Sequence, residues 1–257
     1  MKIIRTYLPN SADNYNYLAY CPTTGVAAAV DPFDADHLIS IADDNKLNIT
    51  QIWVTHEHWD HIKDVNRLKE LTSAQVYAPH TCKNAMDADI WLEDGDEVDL
   101  SQHHSVKLFL TPGHIAGHGV YLYQDLQQPT DNFILAGDTL FNAGVGNTKS
   151  GDVEQLYHSI ERLHQLLTEQ CQIYVGHDYM VSNLKFTLKH CPTLKAAEQA
   201  LQAAEAESHD SRPIQRWQDE KSYNLFLRLD SNEVRELTGK DSRIEQFKAL
   251  RALRDQW

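Results

Sequence analysis

The sequence predicts an α+β fold with a smaller helical domain at its C-terminal end, and three observations support this. The first thirty residues alternate short apolar strands with turns, which is typical of an antiparallel meander. Polar clusters rich in histidine and aspartate follow the ends of several later strands. After Tyr179 the chain becomes dense in Ala, Leu, Glu and Gln at helical spacing.

Composition and charge limit the kind of protein and its partners. The 257 residues suffice for one large domain, or for one domain plus a smaller one. Because the net charge is −14, binding to nucleic acid would gain nothing from counterion release. No apolar run approaches a membrane span, and the start lacks the apolar core of a secretory signal. The four cysteines form no CxxC pair, which is typical of a reducing compartment. We therefore expect a cytoplasmic monomer with no nucleic-acid or membrane partner.

Short apolar runs bounded by turn residues predict the strands of the first domain. The predicted strands cover 3–8, 15–20, 26–30, 49–54, 76–78, 106–110, 119–123, 133–136 and 173–175. Apolar residues at helical spacing predict helices over 34–42, 62–71 and 153–167.

Three further helical segments are predicted after Tyr179, over 183–208, 214–226 and 242–254. Arg212-Pro213 separates the first from the second, because proline cannot continue a helix. No low-complexity linker is visible, so the helical part is expected to pack against the rest. We place a domain boundary near Tyr179, which gives domains 1–179 and 180–257.

Residues 55–61, Thr-His-Glu-His-Trp-Asp-His, connect a predicted strand to a predicted helix. His56 and His58 are two residues apart, so an extended backbone points both imidazoles to one side. Asp60 and His61 come where the chain turns into the helix, and they point elsewhere. This geometry suits two adjacent metal ions, one at each pair. Imidazole and carboxylate ligands without a thiolate favour zinc, iron or manganese.

Three more candidate ligands, His114, Asp138 and His177, each stand just after a strand end and beside a glycine. Loops at the strand ends of one sheet edge bring side chains together on a rigid scaffold. The glycines let the loop backbone approach a metal centre closely. Together with the first cluster they make a set of seven candidate ligands.

The motifs H-x-H-x-D-H, T-P-G-H, G-D-T and G-H resemble the pattern of the metallo-β-lactamase superfamily. The chain is similar to one branch, glyoxalase II or hydroxyacylglutathione hydrolase, over nearly its whole length. That similarity includes the segments 14–18, 55–61, 111–114, 137–141, 176–179, 183–186, 223–224 and 251–257. The resemblance implies an αββα sandwich followed by a helical, substrate-binding domain.

The resemblance also implies a dinuclear centre, with zinc as the expected metal and iron or manganese as alternatives. It would place His56, His58 and His114 on one ion, Asp60, His61 and His177 on the other, and Asp138 between them. Two cations that share one water lower its pKa, so a bridging hydroxide would attack a thioester carbonyl. Asp60 would orient this hydroxide. The implied reaction is the hydrolysis of an S-(2-hydroxyacyl)glutathione, such as S-lactoylglutathione, to glutathione and a hydroxy acid.

The substrate loop departs from the pattern of this family. Asn147 stands where a basic residue is usual, and Lys149 stands where an aromatic residue is usual. By contrast, Tyr179, Arg251 and Arg254 occupy the positions of the family's tyrosine and basic residues for the glycine carboxylate of glutathione. The implied partner is therefore a small-molecule glutathione thioester, whose contacts with the protein near the metals would differ from those usual in the family.

Two alternative functions stay open. One is a mononuclear iron oxidoreductase resembling persulfide dioxygenase, and the other is a hydrolase of another thioester on the same fold. The first branch lacks a long helical C-terminal domain, so the residues after Tyr179 oppose it. The acidic charge opposes a nuclease, and Asp138 in place of a thiol ligand opposes a β-lactamase.

Overall fold

The computed structural model describes residues 1–257 and contains two large β-sheets and a two-stranded one. The first sheet has six strands in chain order: β1 Lys2–Tyr7, β2 Tyr15–Tyr20, β3 Val26–Val30, β4 Asn48–Trp53, β5 Gln75–Pro79 and β6 Ile90–Leu92. The second has the order β13 Gln172–Val175, β10 Phe133–Gly137, β9 Gly119–Tyr123, β8 His104–Leu110 and β7 Glu97–Ser101. A hairpin of β11 Leu140–Phe141 and β12 Gly144–Val145 follows β10. The predicted antiparallel meander of β1 to β3 is confirmed.

Nine α-helices accompany the sheets. Those before residue 180 are α1 Ala35–Asp44, α2 Trp59–Ile62, α3 Val65–Thr72 and α4 Val153–Leu166. Those after it are α5 Met180–His190, α6 Lys195–Glu205, α7 Trp217–Tyr223, α8 Asn232–Thr238 and α9 Arg243–Asp255. No helix combines the length and the apolar character that crossing a bilayer requires.

The apolar residues form two layers that give the order helix, sheet, sheet, helix. Trp53 of the first sheet stacks on Tyr121 of the second, with ring centroids 5.4 Å apart, inside the larger buried cluster. Leu163 of α4 belongs to the same cluster. Leu38 of α1 and Leu68 of α3 pack on the outer face of the first sheet, in a separate cluster. The αββα sandwich expected from the resemblance is confirmed.

The helical elements after residue 179 lie against the sandwich at several places. Helix α9 packs against α4, and the short 3-10 turn at 225–227 packs against β12 of the hairpin. Phe226 and Phe247 belong to the same buried cluster as the two sheets. The predicted helical part is therefore continuous with the main apolar core.

Two predicted helices are interrupted in the structure. The helix expected over 62–71 is split between α2 and α3, because Asp64 accepts a hydrogen bond from Ala35 N at 2.9 Å at the start of α1. The backbone N of Asp64 also donates to Pro32 O at 3.0 Å. The segment expected over 183–208 is broken after His190, where Pro192 cannot continue a helix.

Candidate metal centre and its neighbouring cavity

The seven candidate ligands lie together where four strands end. His56, His58, Asp60 and His61 follow β4 and enter α2, while His114, Asp138 and His177 follow β8, β10 and β13. Five of the seven are almost fully buried, and only His58 and Asp60 are partly exposed. Buried strands fix the backbone on both sides of each ligand, so the cluster rests on a rigid frame.

One group in this cluster contains His56, His58, His114 and Asp138, whose ligating atoms all lie within 4.8 Å of one another. His58 Nδ1 is 3.0 Å from His56 Nε2 and 2.9 Å from His114 Nε2. Asp138 Oδ2 is 3.4 Å from His114 Nε2. Three imidazole nitrogens and one carboxylate oxygen thus converge on one point.

A second group contains Asp60, His61 and His177, and a third, Asp31, His56 and His61, shares one histidine with each of the other two. His61 Nε2 lies 3.1 Å from His177 Nε2, and Asp60 Oδ2 lies 3.6 and 3.5 Å from these two nitrogens. Asp138 reaches this group as well, with Oδ1 3.4 Å from His61 Nε2 and Oδ2 3.2 Å from His177 Nε2. Asp138 therefore contacts both groups.

The donor set fits two divalent cations. Asp138 Oδ1 is buried and has no hydrogen-bond partner, which is costly for a carboxylate oxygen unless a cation balances it. Burial lowers the pKa of His56 and of His58, so both favour the neutral form that binds metals. Nitrogen and oxygen donors without a thiolate suit zinc, iron or manganese.

Electrostatics keep Asp138 ionised. Burial alone would raise the pKa of this carboxyl, but His177 and His61 hold it well below its usual range. Burial likewise favours a lower pKa for His61, yet Asp138 and Asp31 raise that pKa to about 9. The second group thus carries concentrated negative charge, which attracts either a proton or a metal ion.

Hydrogen bonds from the far side of each ring orient the ligands. His61 Nδ1 donates to Asp31 Oδ2 at 2.9 Å, and His177 Nδ1 donates to Ala12 O at 2.8 Å. Such partners fix the ring and direct the opposite nitrogen toward the metal. Asn14 Nδ2 donates to Asp60 Oδ2 at 3.1 Å, which is the same oxygen that faces His61 and His177, so it fixes this carboxylate at its ligating atom.

Asp31 is an orienting residue that the sequence analysis missed. It stands just after β3, on the sheet edge where the ligands lie, and its carboxylate also accepts from Thr55 N and Thr55 Oγ1 at 2.7 Å. Its φ of +48° lies in the left-handed region, which is unusual outside glycine. A buried aspartate after a strand, beside the other ligand loops, is the signal that could have revealed it.

His118 supports the centre from below. Its Nε2 accepts a hydrogen bond from the backbone N of Asp138 at 2.9 Å, and its Nδ1 lies 3.0 Å from the hydroxyl oxygens of Thr111 and Thr139. Burial lowers the pKa of His118 well below its ordinary value, so the neutral ring can accept. Both ring nitrogens of His118 are thus engaged within the protein.

Comparison with known proteins identifies the family. A model described as the metallo-beta-lactamase superfamily matches residues 24–177, and one described as the hydroxyacylglutathione hydrolase C-terminus matches residues 178–257. A hydroxyacylglutathione hydrolase of Polaromonas sp. is 33% identical over 100% of both chains. The chain belongs to the hydroxyacylglutathione hydrolase family.

Other relatives share all or part of this architecture. A cytoplasmic hydroxyacylglutathione hydrolase of Arabidopsis thaliana is 33% identical over 100% of this chain and 99% of its own length. The crystal structure of ETHE1 from Myxococcus xanthus superposes with a TM-score of 0.60 and 31% identity. It covers 68% of this chain and 76% of its own, so its match is shorter than those of the hydroxyacylglutathione hydrolases.

A cavity of about 220 Å³ opens beside the second group of ligands. It is lined by Phe141, Val145, Asn147, Lys149, Tyr179, Asn183, Arg251, Arg254, Asp255 and Trp257. The structure thus brings together all five residues that the resemblance to hydroxyacylglutathione hydrolases selects for substrate binding. Tyr179 stacks on His177 with ring centroids 5.0 Å apart and planes 5° apart, so the cavity adjoins the candidate metal centre.

The two arginines of this cavity differ in how many of their hydrogen-bond donors remain free for a ligand. Arg251 is 5% exposed, and its guanidinium donates to Val145 O and Gly146 O at 3.1 Å and to Asp255 Oδ1 at 3.0 Å. Arg254 is more exposed, and it donates to Asn183 Oδ1 from Nε and one terminal nitrogen. Arg251 is therefore largely satisfied within the protein.

Side chains from the helices hold the loop that carries Asn147 and Lys149. The fully buried carboxylate of Glu220 in α7 accepts from Ala143 N at 2.8 Å and from Asn142 Nδ2 at 3.1 Å. Tyr223 and Asn224 donate to the same carboxylate, and Asn224 also donates to Gly144 O at 3.1 Å. The sequence does not reveal this role of Glu220, because two of its four donors, Asn142 and Ala143, lie 78 and 77 positions away along the chain.

Proposed function

We propose that this chain hydrolyses S-(2-hydroxyacyl)glutathione thioesters, S-lactoylglutathione among them, to glutathione and a 2-hydroxy acid. The observation that carries the proposal is the stacking of Tyr179 on His177. It joins a cluster of metal-type ligands to a cavity that presents cationic side chains. The full-length relatives of this chain are named hydroxyacylglutathione hydrolases, which supports the same reaction.

The proposal assigns a role to each of the seven clustered residues. His56, His58 and His114 would hold one divalent ion, Asp60, His61 and His177 would hold the other, and Asp138 contacts both groups. Zinc is the metal that we propose, with iron and manganese compatible with the same donors. When bound, such ions would lower the pKa of a water molecule and would polarise the thioester carbonyl.

Asp60 is proposed to position the attacking water. Asn14 holds its Oδ2 at 3.1 Å, which leaves Oδ1 to accept a hydrogen bond from that water. Asp60 is also more exposed than Asp138, with 24% against 8% of the side chain accessible, so water and substrate reach it more readily. A hydrogen bond at this point aligns the nucleophile with the carbonyl carbon.

The thiolate leaving group needs no proton donor from the protein. A thiol has an ordinary pKa of about 8.5, so a thiolate leaves readily when the carbon–sulfur bond breaks. None of the four cysteines stands among the clustered ligands or lines the cavity beside them. Direct attack by water is therefore the simplest route for this site.

Glutathione is proposed to occupy the cavity beside His177. Its carboxylates pair there with Lys149 and Arg254, the cations that retain exposed donors, and Tyr179 forms the wall next to the reacting carbonyl. Arg251 acts on the substrate through the loop that it binds at Val145 and Gly146. Asn147 supplies a weaker, uncharged contact.

We propose in addition a division into two domains, a monomeric state and a cytoplasmic location. Residues 1–179 provide the metal centre, and residues 180–257 provide one wall of the substrate cavity. A single chain contains every group used here, which supports action as a monomer. All four cysteines are unpaired thiols, as is usual in a reducing compartment, which supports a cytoplasmic location.

A thioester panel with metal analysis on the same sample tests the proposal. S-lactoylglutathione should be hydrolysed by protein purified without chelator, and elemental analysis should give about two transition-metal equivalents per chain, the number the two ligand groups would hold. Asp138→Ala should lose most of the metal and most of the turnover while staying folded. Turnover of another thioester, with lactoylglutathione untouched, would support the alternative hydrolase. Oxygen-dependent oxidation of a persulfide by protein that holds a single iron, without thioester hydrolysis, would support the oxidoreductase.

A further inference from the structure

A short turn of the helical part, residues 209–212, contacts the segment that carries His177. His209 Nδ1 and Arg212 Nε both donate to Oδ2 of Asp178 at 2.5 Å. The side chain of Asp178 is 2% exposed and that of Arg212 is 10% exposed. The 209–212 turn thus forms a largely buried ion pair with the residue that directly follows a candidate metal ligand.

The 209–212 turn also contacts the end of strand β1. The ring of Tyr7 stacks on that of His209, with centroids 4.1 Å apart and planes 9° apart. The backbone N of Tyr7 donates to Asp210 Oδ1 at 2.7 Å. The turn therefore holds two separate parts of the sandwich, at Tyr7 and at Asp178.

Between these two parts lies the loop 12–14, which orients two ligands of the second group. His177 Nδ1 donates to Ala12 O at 2.8 Å, and Asn14 Nδ2 donates to Asp60 Oδ2 at 3.1 Å. Asn14 and His177 also pair through their backbones as an isolated antiparallel bridge. The orientation of both ligands therefore depends on where this loop lies.

The loop 12–14 has a backbone conformation that its surroundings must maintain. Asp13 has a φ of +55°, in the left-handed region that is costly outside glycine. Its backbone O accepts from Asp178 N at 2.9 Å, and its Oδ1 accepts from Tyr7 Oη at 2.6 Å. Asp178 and Tyr7 are the same two residues that the 209–212 turn holds. The turn is thus connected to the middle of the loop from two sides.

We infer that the 209–212 turn, through Asp178 and Tyr7, positions the ligands of the second metal ion, so that the helical part of the chain helps to set the affinity for that ion. This inference rests on the two-ion centre of the proposed function. Partners that hold metal ligands commonly change metal affinity about 10- to 100-fold, and the turn acts one contact further out.

The ligands of the first ion should be insensitive to the 209–212 turn. His56, His58 and His114 make no hydrogen bond to the turn or to the loop 12–14. A loss of the contacts between the turn and the sandwich should therefore weaken one ion selectively. A general loss of stability would not distinguish the two ions in this way.

Competition of the zinc-loaded protein with a chromophoric chelator measures the two affinities for Zn²⁺. His177→Ala deletes a ligand of the second group, so it identifies the affinity that belongs to this group. Arg212→Ala should weaken that affinity about 10-fold and the other less than about 2-fold. Tyr7→Phe keeps the ring on His209 and loses only the hydrogen bond to Asp13, so it should weaken the same affinity about 3-fold.

A double variant covers the case in which Arg212→Ala does not fold, since that substitution leaves the carboxylate of Asp178 buried without its cation. Asp178→Asn combined with Arg212→Gln removes both charges together and should weaken the second ion to a similar extent. Glu161→Ala is the matched control, because it removes an ion pair of 2.7 Å with Arg243 that also joins the sandwich to the helical part. This control should change neither affinity.

Unchanged affinities in Arg212→Ala and in the double variant would overturn the inference. An equal loss at both ions would overturn it as well, and so would a loss of the same size in the control. The measurement uses no substrate, so a wild type that binds two ions but hydrolyses no glutathione thioester would refute the proposed function alone. A wild type that binds only one ion would refute both proposals.

Discussion

His114 donates a hydrogen bond from Nδ1 to the backbone carbonyl oxygen of Asn147 at 2.7 Å. This contact joins a candidate metal ligand to the loop position at which we expect the chain to depart from its family. Because the carbonyl belongs to the main chain, the side chain at 147 can change without altering the orientation of His114. Substrate recognition and metal geometry are thus separable at this residue.

Asn147→Arg should lower the KM for S-lactoylglutathione about 10-fold, because it adds a charge-assisted contact worth about 1.5–3 kcal/mol at most. The kcat should change little, since the contact is remote from the carbonyl and serves ground and transition states alike. Steady-state kinetics with metal content measured in parallel checks this. A large fall in kcat would contradict the separation of the two roles.

Arg254→Ala should mainly affect substrate binding, whereas Arg251→Ala should mainly affect stability. Arg254→Ala should raise KM about 10-fold or more with a near-normal melting temperature, because it removes an available cation from the cavity. Arg251→Ala should lower the free energy of unfolding by about 2–3 kcal/mol, because it leaves the carbonyls of Val145 and Gly146 without a donor. Urea unfolding and steady-state kinetics on both variants decide the matter. Identical behaviour of the two would contradict it.

Glu220→Ala should destabilise the protein by about 2–4 kcal/mol, because it removes the acceptor shared by four donors. The loss should appear as a lower urea midpoint. Surviving folded protein should also show a raised KM, since the substrate loop is no longer held. Glu205→Ala, at a partly exposed carboxylate of α6, is the control and should leave both quantities unchanged within error.

The pH dependence of stability should also depend on Glu220. Burial raises its pKa to about 7, although the four donors oppose that rise. Between about pH 4.5 and 7 the folded state then binds more protons at this site than the unfolded state does. Wild-type stability should therefore fall with rising pH, by on the order of 3 kcal/mol relative to Glu220→Gln. A constant difference between the two proteins would show that the donors keep the carboxylate ionised throughout.

Asp31→Asn should weaken one of two metal equivalents about 10- to 100-fold, because the charged partner of His61 is lost. The ion held by His56, His58 and His114 should be retained. Competition with a chelator should resolve the two affinities. Asp64→Asn, which alters an acceptor at the start of α1 without touching a ligand, should bind both ions as the wild type does.

The ligand cluster was predictable because its signals are local. Each of the seven residues stands at a strand end with a glycine or another ligand nearby, and strand ends share an edge. The meander and the αββα layers were predictable for similar reasons, since the spacing of apolar residues and the turn residues can be recognised within short stretches of sequence. The short strand β6 carries too few residues to show a period.

The parts that escaped prediction depend on distant partners. Asp64 interrupts a helix because Ala35 and Pro32 bond to it from another loop. Glu220 looks like an ordinary helical surface residue until the fold places Ala143 against it, 77 positions away along the chain. The burial of such a charged residue leaves no recognisable pattern in the sequence around it. Only the fold therefore reveals its role.

The attachment of the substrate loop to the helices has a consequence for how this family can diversify. The loop is held by Glu220 and Asn224 near α7, by Asn183 of α5 and by Arg251 of α9. A chimaera that imported only the C-terminal helices of a relative would leave the resident loop facing foreign side chains. Recombination that alters substrate preference must therefore exchange residues 142–149 together with the C-terminal helices, although residues 150–179 separate the two segments in the sequence.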